Sequence, residues 1–258
     1  MLKLVAACFS FTALLYLGAC GYLYANQRSL LYYPTPAVAE PVPGAERIVL
    51  HSDGETLRIL RVGPAEGKAL IYFGGNAQDV SRLIPVFRHA FPQRPVYLVN
   101  YRGYGGSSGS PSEAALLRDA VTVFDFVRLR HADVAVIGQS LGTGVAVFLA
   151  TVRQIARLVL ITPYDSIETV AKSSFPQFPV SLLLKDKFMS AARAASVRSP
   201  TLILLAERDE VIPRASSDAL IASFLWLRPV VEVVSGTTHN SVCTADACLQ
   251  RLADFLHG

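Results

Sequence analysis

Residues 133–152 constrain this chain more than any other stretch. Asp133-Val134-Ala135-Val136-Ile137 is a short, β-branched apolar run, the pattern of a buried strand. Gly138-Gln139-Ser140-Leu141-Gly142 follows at once, and residues 141–152 are apolar and alanine-rich, as a buried helix is. A chain that passes from strand to helix in so few residues must turn sharply at Ser140. Glycines two residues to either side remove the Cβ atoms that would clash in such a turn. The serine hydroxyl is left clear of the sheet, beside a helix N-terminus whose free N–H groups suit an oxyanion. G-x-S-x-G in this setting predicts a nucleophilic serine.

A serine hydroxyl is a weak nucleophile until a base takes its proton, and neutral imidazole is suited to that near neutral pH. A carboxylate must in turn fix the imidazole tautomer and stabilise the imidazolium. Candidates for both follow Ser140 in the chain. Asp209 stands where the apolar run 202–206 breaks into the polar turn Glu207-Arg208-Asp209-Glu210. His239 stands in Ser235-Gly236-Thr237-Thr238-His239-Asn240, directly after the apolar run 229–234. Both positions are strand ends, on the edge of a parallel sheet where α/β folds place their sites. Asp165, after Thr162-Pro163-Tyr164, is a substitute acid, but it lies much nearer the nucleophile strand.

Other segments carry a family resemblance. Lys68-Ala69-Leu70-Ile71-Tyr72-Phe73-Gly74-Gly75-Asn76-Ala77 resembles the strand and oxyanion loop of α/β-hydrolases. Residues 100–113, Asn100-Tyr101-Arg102-Gly103-Tyr104-Gly105-Gly106-Ser107 and onward, resemble the D-x-R-G-x-G-x-S block of that superfamily. Tyr32-Tyr33-Pro34 and residues 179–188 resemble its membrane-anchored abhydrolase-domain subgroup, which includes depalmitoylating serine hydrolases. The similarity runs from about residue 27 to the C-terminus. It implies the α/β-hydrolase fold: a mostly parallel, doubly wound sheet, helices on both faces and a short lid insertion. It also implies a catalytic set of Ser140, Asp209 and His239, with the backbone N–H groups of Asn76 and Leu141 as the oxyanion hole. Two positions depart from the family pattern. Gly74 replaces the usual histidine before the oxyanion residue, which removes any side-chain bracing from that position, and Asn100 replaces the usual aspartate.

The N-terminus is the second strong signal. Lys3 is followed by residues 4–25 without a charge. As a helix they would extend about 33 Å, enough to cross the hydrocarbon of a bilayer. Three fates fit: an uncleaved signal-anchor, a lipoprotein processed at Leu17-Gly18-Ala19-Cys20, or a cleaved signal peptide. In a bacterium each places the catalytic domain on the periplasmic or extracytoplasmic side, because the positive residue precedes the span. The expected domains are a membrane segment 1–26, a proline-rich linker 27–45 and a hydrolase domain 46–258.

Between these landmarks the chain alternates. Residues 47–51 and 56–62 form an expected antiparallel edge pair turning at Ser52-Asp53-Gly54. The runs 70–73, 96–100, 134–138, 158–162, 202–206 and 230–234 are apolar on both faces, as strands of a covered parallel sheet are. Ser110-Pro111-Ser112-Glu113 reads as a capping box opening a helix. That helix would bury Leu116, Leu117, Ala120, Val123, Phe124 and Val127. Gly103-Tyr104-Gly105-Gly106-Ser107-Ser108-Gly109 satisfies neither the dinucleotide nor the phosphate-loop pattern. It is expected as a loop beside the acyl pocket. Residues 174–184, aromatic and proline-punctuated, either form a short lid over Ser140 that accepts an acyl chain or cover the sheet edge.

Composition narrows the partners. The net charge of +4 is scattered, with no basic run interleaved with aromatics, so nucleic acid is excluded as an expected partner. No metal-ligand spacing occurs among the five histidines and four cysteines, and no cofactor is implied. Cys243 and Cys248 could be bridged in an oxidising compartment or stand as two thiols. The sequence therefore points to a membrane-attached serine hydrolase of carboxylic esters or thioesters, with a small-molecule or lipid-like acyl substrate. A peptidase or lactonase on the same scaffold, and an idle hydrolase fold used as a tethered binding module, remain alternatives.

Overall fold

The apolar runs become the strands of one sheet. The computed structural model describes residues 1–37 and 42–257; the part of the expected linker that includes Pro41 lies outside them. The strands are β1 (Glu46–Ser52), β2 (Glu55–Val62), β3 (Ala69–Phe73), β4 (Val96–Val99), β5 (Val134–Gln139), β6 (Leu158–Ile161), β7 (Thr201–Arg208) and β8 (Val230–Thr238). Their spatial order is β1-β2-β4-β3-β5-β6-β7-β8. β2 runs antiparallel to both neighbours, and every pairing from β4 to β8 is parallel. The hairpin β1–β2 closes at Asp53-Gly54, with Ser52 opposite Glu55 and both turn residues at positive φ.

Alternate residues of each central strand enter different cores, which is why these runs are apolar throughout. Ala69, Ile71 and Phe73, with Val134 and Val136, pack against one set of helices; Leu70, Tyr72, Ala135 and Ile137 pack against the other. The first set includes α3 (Glu113–Arg128), α4 (Leu141–Val152) and α8 (Arg214–Ala222). The second comprises α2 (Ile84–Ala90) and α9 (Asp246–His257). All six residues of the expected stripe on α3 are buried.

The start of α3 differs from the expected capping box. Its cap is Ser112, whose hydroxyl accepts from Ala115 N–H at 3.3 Å, two residues later than Ser110. Glu113 consequently stands at the first helical position. Its carboxylate turns outward to accept from the N–H groups of Lys187 and Phe188 and to pair with Arg193 at 2.7 Å. Tertiary donors outbid a local backbone N–H for a carboxylate that can reach both.

The N-terminal helix α1 (Leu2–Leu31) runs six residues past the uncharged stretch. It continues because Gln27 and Arg28 find partners on the segment between β6 and β7, which carries α5 (Ile167–Ser174), α6 (Val180–Leu183) and α7 (Ser190–Ala194). Arg28 pairs with the buried Asp186 at 2.9 Å, and Tyr32, itself buried, donates to the same carboxylate. Residues 27–37, expected as linker, are thus seated on the domain. The prolines 34 and 36 suggested a spacer, but Tyr32 O–H donates to Asp186, Tyr33 N–H donates to Asn76 and Thr35 O accepts from Gly105 N–H.

Candidate active site

Ser140 sits between β5 and α4 with φ 49° and ψ −117°, a backbone conformation that L-residues rarely hold. A Cβ at Gly138 would strike Gly142 O, and one at Gly142 would strike Phe73 O. The two glycines are therefore what the turn requires. Ser140 N–H donates to Ile161 O at 2.9 Å, which ties the turn to the neighbouring strand.

Asp209 follows the last residue of β7 and His239 the last residue of β8, so the parallel register of those two strands carries both to the sheet edge where Ser140 stands. His239 Nδ1 lies 2.9 and 3.0 Å from the Asp209 oxygens, and Nε2 lies 2.9 Å from Ser140 Oγ. With a proton on Nδ1 donated to the carboxylate, Nε2 is left to accept from the serine hydroxyl. Asp209 also accepts from the N–H groups of Val211 and Ile212 at 2.9 and 2.8 Å. Burial pushes its carboxyl up, but the hydrogen bonds from His239, Ile212 and Val211 outweigh burial and hold it below its ordinary value. Asp165 is engaged elsewhere: it accepts from the hydroxyls of Ser216 and Thr169.

Neither the Leu141 nor the Asn76 N–H donates to a protein acceptor among the described residues. The loop that holds Asn76 is fixed from several sides. Its side chain accepts from Tyr33 N–H at 3.0 Å and from Tyr104 O–H at 2.7 Å, and donates to Leu31 O at 2.6 Å. Tyr101 O–H donates to Gly74 O at 2.8 Å. The glycine-rich block 100–109 thus serves the site through Tyr101 and Tyr104, which anchor the loop.

The bracing absent at Gly74 is supplied by Gln78, a residue that sequence reasoning missed. Gln78 Oε1 accepts from Gly75 N–H at 2.8 Å and from Tyr72 O–H at 2.9 Å, while Nε2 donates to Gln139 at 3.1 Å. A Cβ at Gly74 would come within 2.7 Å of that oxygen, so the glycine and the glutamine fit each other. The signal lay in the pair Gly74 and Gln78, four apart, but nothing in either residue alone marked it. Glu210, also missed, accepts from His239 N–H at 3.1 Å. Cys243 and Cys248 are free and fully buried beneath this network, on a short 3-10 turn and on α9. Burial pushes the Cys243 thiol up to about 11.

Ser140 and His239 open into a cavity of about 700 Å³ whose walls include Tyr33, Asn76, Gln78, Arg82 and Val211. No residue of the 163–200 insertion lines it. The expected lid over Ser140 instead stands beside the cavity, against α1. Its aromatic and leucine side chains pack there against the apolar side chains of α1.

Residues 72–196 match the family described as the Alpha/beta hydrolase family. An uncharacterized protein of Mycobacterium tuberculosis is 33% identical over 242 residues, covering 88% of this chain and 85% of that protein. This chain is an α/β-hydrolase. Alpha/beta hydrolase domain-containing protein 17B of Xenopus laevis is 31% identical over 205 residues, 76% of this chain and 69% of that protein. Among solved structures, esterase Pf2001 of Pyrococcus furiosus shares the fold, with a TM-score of 0.70, 15% identity and coverage of 87% of this chain and 98% of that one. An α/β-hydrolase with this arrangement has the parts for acyl transfer to a serine: a hydroxyl, a base to take its proton and a carboxylate to orient the base.

Proposed function

We propose that this α/β-hydrolase cleaves carboxylic esters or thioesters through an acyl-enzyme on Ser140. The observation that carries the reading is the unbroken row from Asp209 through His239 to Ser140, with 2.9 Å on each side of the imidazole. Ser140 Oγ attacks the acyl carbonyl while His239 Nε2 takes the hydroxyl proton. The carbonyl oxygen becomes an oxyanion received by the N–H groups of Leu141 and Asn76. As the intermediate collapses, the carbon–oxygen or carbon–sulfur bond breaks and His239 passes its proton to the leaving group. Water, deprotonated by His239, then releases the acid and restores Ser140.

Within this proposal α1 is an uncleaved membrane anchor over the expected segment 1–26, and the domain 46–258 lies on the extracytoplasmic side. Support comes from the length and composition of Leu2–Leu31, the one helix among the described residues long and apolar enough to cross a membrane. The seating of residues 27–32 on the domain gives that helix a structural role. Cys20 is the buried residue of α1, turned toward the protein. The full-length protein should be labelled by a fluorophosphonate probe, and Ser140→Ala should lose that labelling while retaining its thermal unfolding. Undiminished labelling of the folded variant would refute the assignment.

A further inference from the structure

A groove of about 390 Å³ lies between α1 and the insertion. Leu23, Leu30 and Leu31 form one wall, and Ile167, Phe175 and Leu183 the other. The amide in the lining, Gln27, has its polar atoms committed to backbone: Nε2 donates to Leu183 O at 2.9 Å, and Oε1 accepts from Lys185 N–H at 2.6 Å. Apart from the tyrosines 22 and 33, what remains is hydrocarbon and aromatic ring, a lining suited to an apolar ligand with few directional demands.

Two further observations say what that ligand is. Tyr33 lines both this groove and the cavity that holds Ser140, so a single residue borders the two spaces. Its backbone N–H is held by Asn76, so the junction is built onto the oxyanion loop itself. The second observation concerns α1. From Tyr16 onward the helix leans on the insertion: Tyr16 donates to Gln177 O at 2.9 Å and stacks on Phe178, and Lys185 lies 3.9 Å over the Tyr24 ring. Residues 2–15 alone would give about 21 Å of free helix, less than the roughly 30 Å of bilayer hydrocarbon. A crossing helix therefore brings the groove to the lipid. Leu182, next to the groove wall, is 82% exposed, and Phe175, in the wall, is 49% exposed.

We propose that this groove binds the fatty acyl chain of the ester or thioester cleaved at Ser140, with the protein's own N-terminal helix as one wall. The inference rests on the hydrolase reading above and adds the substrate class. The hydrocarbon tail lies between α1 and the insertion, while the carbonyl passes Tyr33 to the serine. A tail so placed leaves lipid for protein without crossing water. For short esters, which reach the groove from water, kcat/KM rises about 4-fold per methylene buried until the groove is full.

The test uses the full-length protein in phosphatidylcholine vesicles with p-nitrophenyl acetate, butyrate, octanoate and palmitate. Wild type should show kcat/KM rising from acetate to butyrate and staying at least as high on octanoate and palmitate, which the groove takes from lipid. Ala171→Trp places an indole in the groove from α5, a helix with no fully buried residue, and should lower the palmitate-to-acetate ratio at least about 10-fold. A flat chain-length profile, or an equal loss on both esters, would overturn the proposal. A photoactivatable diazirine analogue of palmitic acid on Ser140→Ala gives a readout free of turnover. Cross-links to residues 22–31 and 167–184 that Ala171→Trp abolishes support the groove. Cross-links elsewhere overturn it. If wild type hydrolyses no ester of any length while the groove is labelled, the hydrolase reading fails and the acyl-chain site stands.

Discussion

Ser140 holds a positive φ that would cost about 1–3 kcal/mol if nothing enforced it. The enforcement comes from Gly138 and Gly142 at either side, Ile161 O on its N–H and the start of α4. This much was legible in five residues, because only glycine fits where backbones approach so closely. Asp209 and His239 were legible for a different reason: each ends an apolar run, and a parallel sheet brings strand ends to one edge. Gln78 was not legible, because an amide shows its role only when its three partners are in place. Two outcomes follow at this scale. Asp209→Asn should lower kcat about 10³- to 10⁴-fold with little change in folding, because the amide favours the wrong imidazole tautomer; steady-state kinetics check it. Gln78→Ala should lower kcat up to about 10-fold with KM nearly unchanged, the effect of one lost bracing hydrogen bond on the loop that carries Gly75 and Asn76.

At the scale of elements, the strands and the core helices α3 and α4 followed from pattern, and the helix boundaries set by tertiary partners did not. The shift of the α3 cap from Ser110 to Ser112 reflects what Glu113 can reach in the fold, namely Lys187, Phe188 and Arg193. The extension of α1 to Leu31 reflects Asp186, far along the chain. The insertion has its own charge anchor: Glu168 is held by Lys172, Ser181 and Lys187, which pull its carboxyl from 4.5 to about 2. A carboxyl lowered by folding contributes stability above its unfolded value and loses it as pH falls through the folded one. Glu168 should therefore hold α5 to α6 fully above about pH 4.5 and release them progressively toward pH 2. Hydrogen exchange across residues 167–184, corrected for intrinsic rates, should show this loss, and Glu168→Gln should remove most of the pH dependence.

For the whole molecule, the sheet sets the site and the N-terminal helix completes its surroundings. Alternation of apolar runs implied a doubly wound sheet, and that architecture is present. The relation of α1 to the domain was hidden, because prolines 34 and 36 resemble a spacer unless the burial of Tyr32 and the Arg28–Asp186 pair are known. Internal rigidity rests partly on the buried ion pair of Arg102 and Asp119 at 2.6 Å, which fastens the 100–109 block to α3. Asp119→Ala should cost about 3–5 kcal/mol in urea unfolding, since it strands a buried guanidinium. The central claim is that the acyl group passes through Ser140. Its most direct test is mass spectrometry of the protein quenched in acid during turnover of p-nitrophenyl butyrate. The account predicts a butyryl increment on the peptide carrying Ser140, absent in Ser140→Ala. Turnover with the increment on another residue, or turnover that survives Ser140→Ala, would contradict it.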